Sequence, residues 1–330
     1  MNRLFLIDGN SLLSTSFFGS LDNVLYKVNK EAAASKIMKT SDGRYTNAVY
    51  GMTKTLLKLL KNHQPSHMAV AWDVNRETTF RKKIYPDYKG HRGNTPEELK
   101  LQFPIIKEVL NEMGISQFEY EGYEADDIIG SLSQRFDKTI EVIILTKDKD
   151  SLQLITQNTK VWLNTSTAKN KNKEFYGKST NYPNVLDNYF EFNEETFPYF
   201  FGNLKPLQII DFKSLEGDTS DNIPGVKGVG EKAIFPLLNA FATTEEIYEY
   251  LENHNEKEAK EFLKGLTPAA SRAYKPLMGN KEIALLSKEL ATIKVDMEHF
   301  STLSLDDLLV HTDNDKILNK FHELEFKSLL

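Results

Sequence analysis

Between residues 124 and 150, five of the carboxylates fall in two tight groups, Glu124-Ala-Asp126-Asp127 and Asp148-Lys-Asp150. A spacing of three sets Glu124 and Asp127 on one helix face, and a spacing of two sets Asp148 and Asp150 on one side of an extended segment. Like charges converging from two elements cannot all stay ionised without cations. An all-oxygen donor set suits Mg²⁺ or Mn²⁺ rather than zinc. Further along, Gly217-Asp218-Thr-Ser-Asp221 adds two carboxylates three residues apart, suited to one turn or to capping a short helix.

The elements that must position these groups follow from apolar patterning. Ile128 to Phe136 reads as an amphipathic helix that starts with carboxylates, and Val142 to Leu145 as a buried strand that ends with them. Arg3 to Ile7 is a strand ending at Asp8, and His67 to Trp72 is a strand ending at Asp73. A single Asp after a strand is ordinarily a turn former or a helix cap. Three of them (Asp8, Asp73, Asp148) on a mostly parallel sheet should meet on the rim outside the strands' carboxyl ends, with the Glu124 helix beside them. Alternating strands and helices up to about residue 163 therefore predict an α/β fold with flanking helices, and from Pro206 the pattern is helical to the end. The expected division is an α/β catalytic domain over residues 1–203 and a helical region over residues 204–330. Asn47 is the expected cap of a helix carrying Val49, Met52, Leu56 and Leu60, and Pro96 opens another that Pro104 should kink.

Composition narrows the class. The 330 residues contain no cysteine, which excludes disulfides, thiolate zinc sites and cysteine nucleophiles. The N-terminus reaches a charge too soon for a signal peptide, and no apolar run approaches the roughly 20 residues of a membrane span, so a cytoplasmic protein with no membrane partner is expected. The net charge is −6, yet setting aside the nine candidate metal ligands (Asp8, Asp73, Glu124, Asp126, Asp127, Asp148, Asp150, Asp218, Asp221) leaves a positive remainder. An acidic sum does not exclude nucleic acid where cations cluster locally. They do so in residues 76–92, where six Lys or Arg face two acids and are interleaved with Phe80, Tyr85 and Tyr88. From composition alone that stretch could equally be a solvated helix face. After Asp221, Gly225-Val-Lys227-Gly228-Val-Gly230-Glu-Lys232 resembles a helix-hairpin-helix, whose glycines bring backbone N–H groups close to a phosphate.

Taken in order, Asp8, Trp72-Asp73, Phe80-Arg81, Tyr88-Lys89-Gly-His-Arg92, Glu124-Ala-Asp-Asp127, Asp148-Lys-Asp150 and Gly217 to Val226 resemble the 5′-nuclease domain of bacterial DNA polymerase I and the related flap endonucleases and phage 5′-nucleases. Leu290 to Lys294 and Phe321 to Leu329 extend the likeness nearly end to end. Residues 20–45 and 165–200 depart from it, and no polymerase part is present, so the resemblance implies a stand-alone nuclease or an excised domain.

The resemblance implies a PIN/5′-nuclease-like fold with a basic helical arch around residues 76–105 and a helix-hairpin-helix (H3TH) at about residues 218–240. It implies hydrolysis of DNA phosphodiesters at 5′ ends, overhangs, nicks or flaps and RNA primer removal (hence RNA/DNA hybrids), and leaves action beside a DNA polymerase open; nothing in the sequence marks an oligomer interface, so a monomer is expected. Two divalent ions are implied, one on Asp8, Asp73, Glu124 and Asp126, the other on Asp148, Asp150, Asp218 and Asp221, with Asp127 binding directly or behind them. Asp8, Asp73 and Asp148 would thus be catalytic, with Lys89 on the scissile phosphate, Arg81 and Arg92 on flanking phosphates, and Tyr88 stacked on a base. Gly225, Gly228 and Gly230 would grip duplex backbone, with a possible K⁺, and Lys227 and Lys232 would touch phosphates; Lys169, Lys171, Lys173 and Lys178 could extend that surface. Two rivals are a junction-binding module that has lost catalysis and a PIN-type ribonuclease, which would leave the hairpin unexplained.

Overall fold

The computed structural model describes residues 2–21, 28–177 and 183–330. Its six strands are β1 (Arg3–Asp8), β2 (His67–Trp72), β3 (Ser116–Glu119), β4 (Glu141–Thr146), β5 (Thr159–Asn164) and β6 (Tyr189–Phe192), in the order β3-β2-β1-β4-β5-β6. The first five pair in parallel and β6 closes one edge antiparallel to β5. That edge is where the aromatic-rich stretch goes, and all four residues of β6 are buried. Among the described residues no helix is long and apolar enough to cross a membrane.

Alternation along β1 explains the layering. Phe5 and Ile7 face the helices Gly9–Gly19, Asn47–His63 and Gln102–Glu112, while Leu4 and Leu6 face Ala125–Phe136 on the other side. β1 lies between β2 and β4, so the chain crosses from one side of β1 to the other between β3 and β4. Asp8 is in register with Ala71, and Ile7 with Leu145. Strands this well aligned end together, which brings Asp8, Asp73 and Asp148 to one rim at the switch point. Gly9 is required there, because a Cβ would sit 2.6 Å from the Trp72 ring.

Several local expectations change. Thr46, not Asn47, is the cap residue of the helix Asn47–His63, and Gln102 Oε1 accepts the Ala48 and Val49 N–H groups at 2.8 and 3.2 Å. Pro104 acts through the carbonyl four residues back: Glu97–Lys100 and Gln102–Glu112 are separate helices broken at Leu101. Residues 76–105 do not form a continuous helical arch. Only Phe80–Ile84 is helical before Glu97, because Pro86, Gly90, Gly93 and Pro96 interrupt it, and the segment folds inward with Lys89 N–H bonded to Asp221 O at 2.8 Å.

The helical half starts with Ile209–Glu216 and Glu231–Ala240, so the helix-hairpin-helix begins before residue 218. Its apolar residues share one core with the sheet, from Leu4 through Leu215 to Phe300. The last residues leave that half: His67 bridges Leu309, and Ile317, Phe321 and Phe326 pack on the opposite face of the sheet. The extreme C-terminus thus belongs with the α/β layer rather than with residues 204–308, since its apolar stripe finds cover only there. Lys178 and part of the 20–45 segment fall outside the described residues.

Candidate active site

The rim opens into a cleft of about 1700 Å³ lined by Asp8, Asp73, Glu124, Asp126, Asp148, Asp150 and, from the helical half, Asp218. Asp8 ends β1 and caps the next helix, accepting Ser11 N–H at 2.8 Å and Thr146 Oγ1 at 3.0 Å. Asp73 faces the open cleft and accepts the Ala125 N–H at 2.7 Å, fixing the start of the acidic helix to β2. Asp126 accepts Ser151 Oγ, and Asp148 accepts the Asp150 N–H at 2.9 Å.

Crowding raises these carboxyls. Burial, then Asp73 and Asp148, push Asp8 up to about 7. Burial and Asp148 push Asp150 up to about 7 despite Lys213. Asp126 is raised by burial and by Asp148, Asp8 and Asp150, and Asp73 by burial and Glu124. Such a surplus of negative charge, presented entirely by oxygens, fits divalent cations. Among the described residues no three of these groups close into a finished cage. Lysines stand between them instead: Lys89 bonds Glu124 and lies 3.5 Å from Asp221, and Lys213 joins Asp150 to Asp218, the latter at 2.5 Å.

Four of the expected site residues lie behind the cleft rather than in it. Arg81 is 2% exposed, and its donors go to Glu124, Asp127 and the Leu290 and Thr292 carbonyls, so in this arrangement it offers DNA nothing. Asp127 is fully buried, taking both Arg81 prongs and the N–H groups of Glu124 and Lys294, so no oxygen is left for a cation in the cleft. Tyr88 is 3% exposed with its hydroxyl 3.0 Å from both Glu124 and Asp221, a hub rather than a base-stacking surface. Asp221 is also buried, receiving Tyr88, Lys89 and Arg92, and these two cations overcome burial to hold its carboxyl low. Lys89 has φ +53°, an uncommon backbone for a lysine and one that the Asp221 carbonyl helps hold. Lys89 and Arg92 do line the cleft.

The hairpin divides its glycines. Gly225 has φ +60°, a Cβ there would overlap Gly217 N and Glu216 C, and its N–H donates to Ser287 Oγ at 3.0 Å, so it serves the chain crossing and not a phosphate. Gly228 (φ +91°) and Gly230 have open space, the nearest atom to a Cβ at Gly228 being Pro276 Cγ at 3.9 Å. They are exposed with Lys227 and Lys232 at the start of the helix Glu231–Ala240, whose first turn has no side-chain cap.

Sequence reasoning missed Lys213. It sits on the short helix Ile209–Glu216, five residues before Asp218, where a lone lysine carries no signal until Asp150 is brought beside it. It also missed Thr146, Ser151 and Ser220, which orient Asp8, Asp126 and Asp218.

Residues 3–181 match the family described as 5′-3′ exonuclease, N-terminal resolvase-like domain, and residues 204–316 match 5′-3′ exonuclease, C-terminal SAM fold. A 5′-3′ exonuclease of Halalkalibacterium halodurans is 34% identical over 318 residues, covering 96% of this chain and 91% of that protein. DNA polymerase I of Lactococcus lactis subsp. cremoris is 36% identical over 340 residues, covering 100% of this chain and 33% of that protein, so the chain spans about a third of that relative's length. A solved structure of phage T5 D15 flap endonuclease superposes with a TM-score of 0.60 at 17% identity over 98% of this chain and 100% of that one, a likeness of fold. With both halves matched in order, and one relative matched over nine-tenths of its own length, the chain belongs to the 5′-3′ exonuclease family.

Proposed function

We propose that the chain is a divalent-metal-dependent, structure-specific 5′ nuclease that hydrolyses DNA phosphodiesters at or near 5′ ends, nicks and flaps, with Mg²⁺ or Mn²⁺ as the ion. The observation that carries this reading is the single cleft in which seven carboxylates from both halves meet Lys89 and Arg92. The T5 neighbour was solved with DNA and metal ions, which agrees with it. Asp8, Asp73, Glu124 and Asp126 would hold one ion and Asp148, Asp150 and Asp218 the other. Bound there, such ions lower the pKa of water and polarise phosphoryl oxygens.

The chain's own residues do the rest. Lys89, held by Glu124 and Asp221, points a fixed positive charge into the cleft where phosphate charge develops. Arg92, 41% exposed in its side chain, reaches a neighbouring phosphate. Arg81 and Tyr88 act through Glu124, Asp127 and Asp221 as positioning residues. Gly228, Gly230, Lys227 and Lys232 offer a backbone-only, salt-sensitive grip on duplex DNA, where a K⁺ would also belong. Work beside a polymerase belongs to the same reading, since the polymerase I relatives carry this domain within a longer chain.

The test is a double-flap DNA labelled at its 5′ end, incubated with Mg²⁺ or EDTA and with Asp148→Asn beside the native chain. Release of a short 5′ fragment only by the native chain with Mg²⁺ is expected. A flap that is bound but stays intact in Mg²⁺ and Mn²⁺ would make the chain a junction-binding module.

A further inference from the structure

Four phenylalanines, Phe200, Phe201, Phe212 and Phe235, are half-buried and border the same cleft as Asp148, Asp150 and Asp218. They come from the helix Thr196–Phe200 with the residue after it, and from both helices of the hairpin motif. Phe200 and Phe201 also pack on Phe190, Phe192 and Phe197, yet all four rings border the carboxylate cleft, which the hydrolytic chemistry does not explain.

Their placement is fixed. The Phe212 and Phe235 rings lie 5.3 Å apart at 46°. Gly202 (φ +59°) makes room for Phe235, since a Cβ there would come within 2.7 Å of the ring, and Asn239 Nδ2 donates to Gly202 O at 3.0 Å. At the other end Lys171 Nζ stands 3.9 Å over Phe200. Lys149 lines the cleft, and its charge adds to burial in lowering the Lys171 pKa, so the two cations are neighbours. Phe235 also borders a second, apolar depression of about 550 Å³ between Lys232 and Arg272, next to the hairpin. The rings thus border the cleft in two places, Phe200 and Phe201 near Lys171, and Phe212 and Phe235 near Lys232 and Arg272 beside the hairpin. Glu216 and Glu231 lie along the same wall and repel phosphates from the rings, leaving the rings to bases and the backbone to the lysines.

We propose that this wall is a stacking subsite for unpaired nucleobases of the strand cut at the carboxylate centre; it rests on the nuclease reading above. Stacking of bases on aromatic side chains is indifferent to sequence and changes affinity about tenfold per base.

The experiment is an abasic scan. Flap DNAs carrying one abasic residue at each position around the cut are assayed with the native chain, Phe200→Leu, Phe235→Leu and Phe200→Tyr. For the native chain, KM rises about tenfold at one or two adjacent positions with kcat unchanged. The leucine variants have the raised KM on natural DNA and no further response to the abasic residue, and Phe200→Tyr restores the native pattern. A flat native profile, or leucine variants with native KM, overturns the subsite while Mg²⁺-dependent cleavage keeps the nuclease reading. No cleavage of any flap by the native chain removes both. Where a leucine variant fails to fold, 2-aminopurine at each flanking position, bound to the native chain, decides: quenching at one site supports the subsite, and emission equal to the free strand at all sites overturns it.

Discussion

Arg81 and Asp127 meet as a flat two-pronged pair, Nη1 to Oδ2 at 2.8 Å and Nη2 to Oδ1 at 2.7 Å, with Asp127 shut off from solvent. The pair joins three parts of the chain: the basic segment, the start of the acidic helix and the backbone of residues 290–294. Arg81→Ala leaves a carboxylate buried without its partner, which costs roughly 3–5 kcal/mol. Arg81→Lys recovers only part of this, because an ammonium cannot make both prongs. Urea titration checks it. A variant of native stability but weakened DNA binding would show instead that Arg81 reaches the substrate.

Much of the site was legible because strand ends are. Asp8, Asp73 and Asp148 follow apolar runs whose parallel pairing leaves one place for them to go, and all three line the cleft. Burial was not legible. Arg81, Tyr88, Asp127 and Asp221 carry the same residue types as a substrate-facing set, and only the folding of residues 76–92 onto the acidic helix decides that they face inward. Lys213 and the aromatic wall depend on contacts between residues tens of positions apart, which local spacing does not encode.

The raised carboxyls set a pH dependence. Asp8 and Asp150 have folded pKa values near 7 against an ordinary 3.8, so the folded chain keeps protons that the unfolded chain has released. Their contribution to stability is full below the ordinary value and is lost as pH rises through about 7. Asp218 has the opposite sign: burial would raise it, but Lys213 and Ser220 hold it at about 2, so its contribution is lost only as pH falls toward that value. In EDTA the melting temperature should therefore fall between about pH 4 and about pH 7. Added Mg²⁺ takes up the ionised form, so its stabilising increment should grow over the same range and its binding should release protons. Melting with and without Mg²⁺, and calorimetry in two buffers of different ionisation enthalpy, read both effects. An increment independent of pH counts against carboxylates as the ligands.

Lys213 holds Asp150 to Asp218, and thereby one half of the cleft to the other, by contacts that are mostly sheltered. Lys213→Met should lower stability in EDTA by roughly 2 kcal/mol. In saturating Mg²⁺ the loss should be smaller, because the ion takes over the neutralisation. Equal losses in both conditions would confine Lys213 to packing.

Lys89 gives a kinetic contrast. Its charge is aimed at the cleft, so Lys89→Ala should lower kcat by about 10²–10³ while affinity for the flap changes far less. Equal losses in turnover and affinity, measured by single-turnover cleavage and fluorescence anisotropy, would remove the transition-state role.

The hairpin glycines should separate by function. At Gly225 an added Cβ collides with the backbone of Glu216 and Gly217, so Gly225→Ala cannot be accommodated without moving the crossing that places Asp218, and cation affinity should fall with stability. At Gly228 the space is open and only the backbone angle is unfavourable, at about 1–2 kcal/mol for an alanine with φ > 0. Gly228→Ala should therefore stay folded and keep its metal response while binding duplex DNA more weakly, with a salt dependence close to the native one because no charge is removed. Lys227→Ala and Lys232→Ala should do the reverse, leaving stability alone and each lowering the slope of log affinity against log salt by about 1. Native slopes in both lysine variants would take the duplex off this face and leave the hairpin a structural turn.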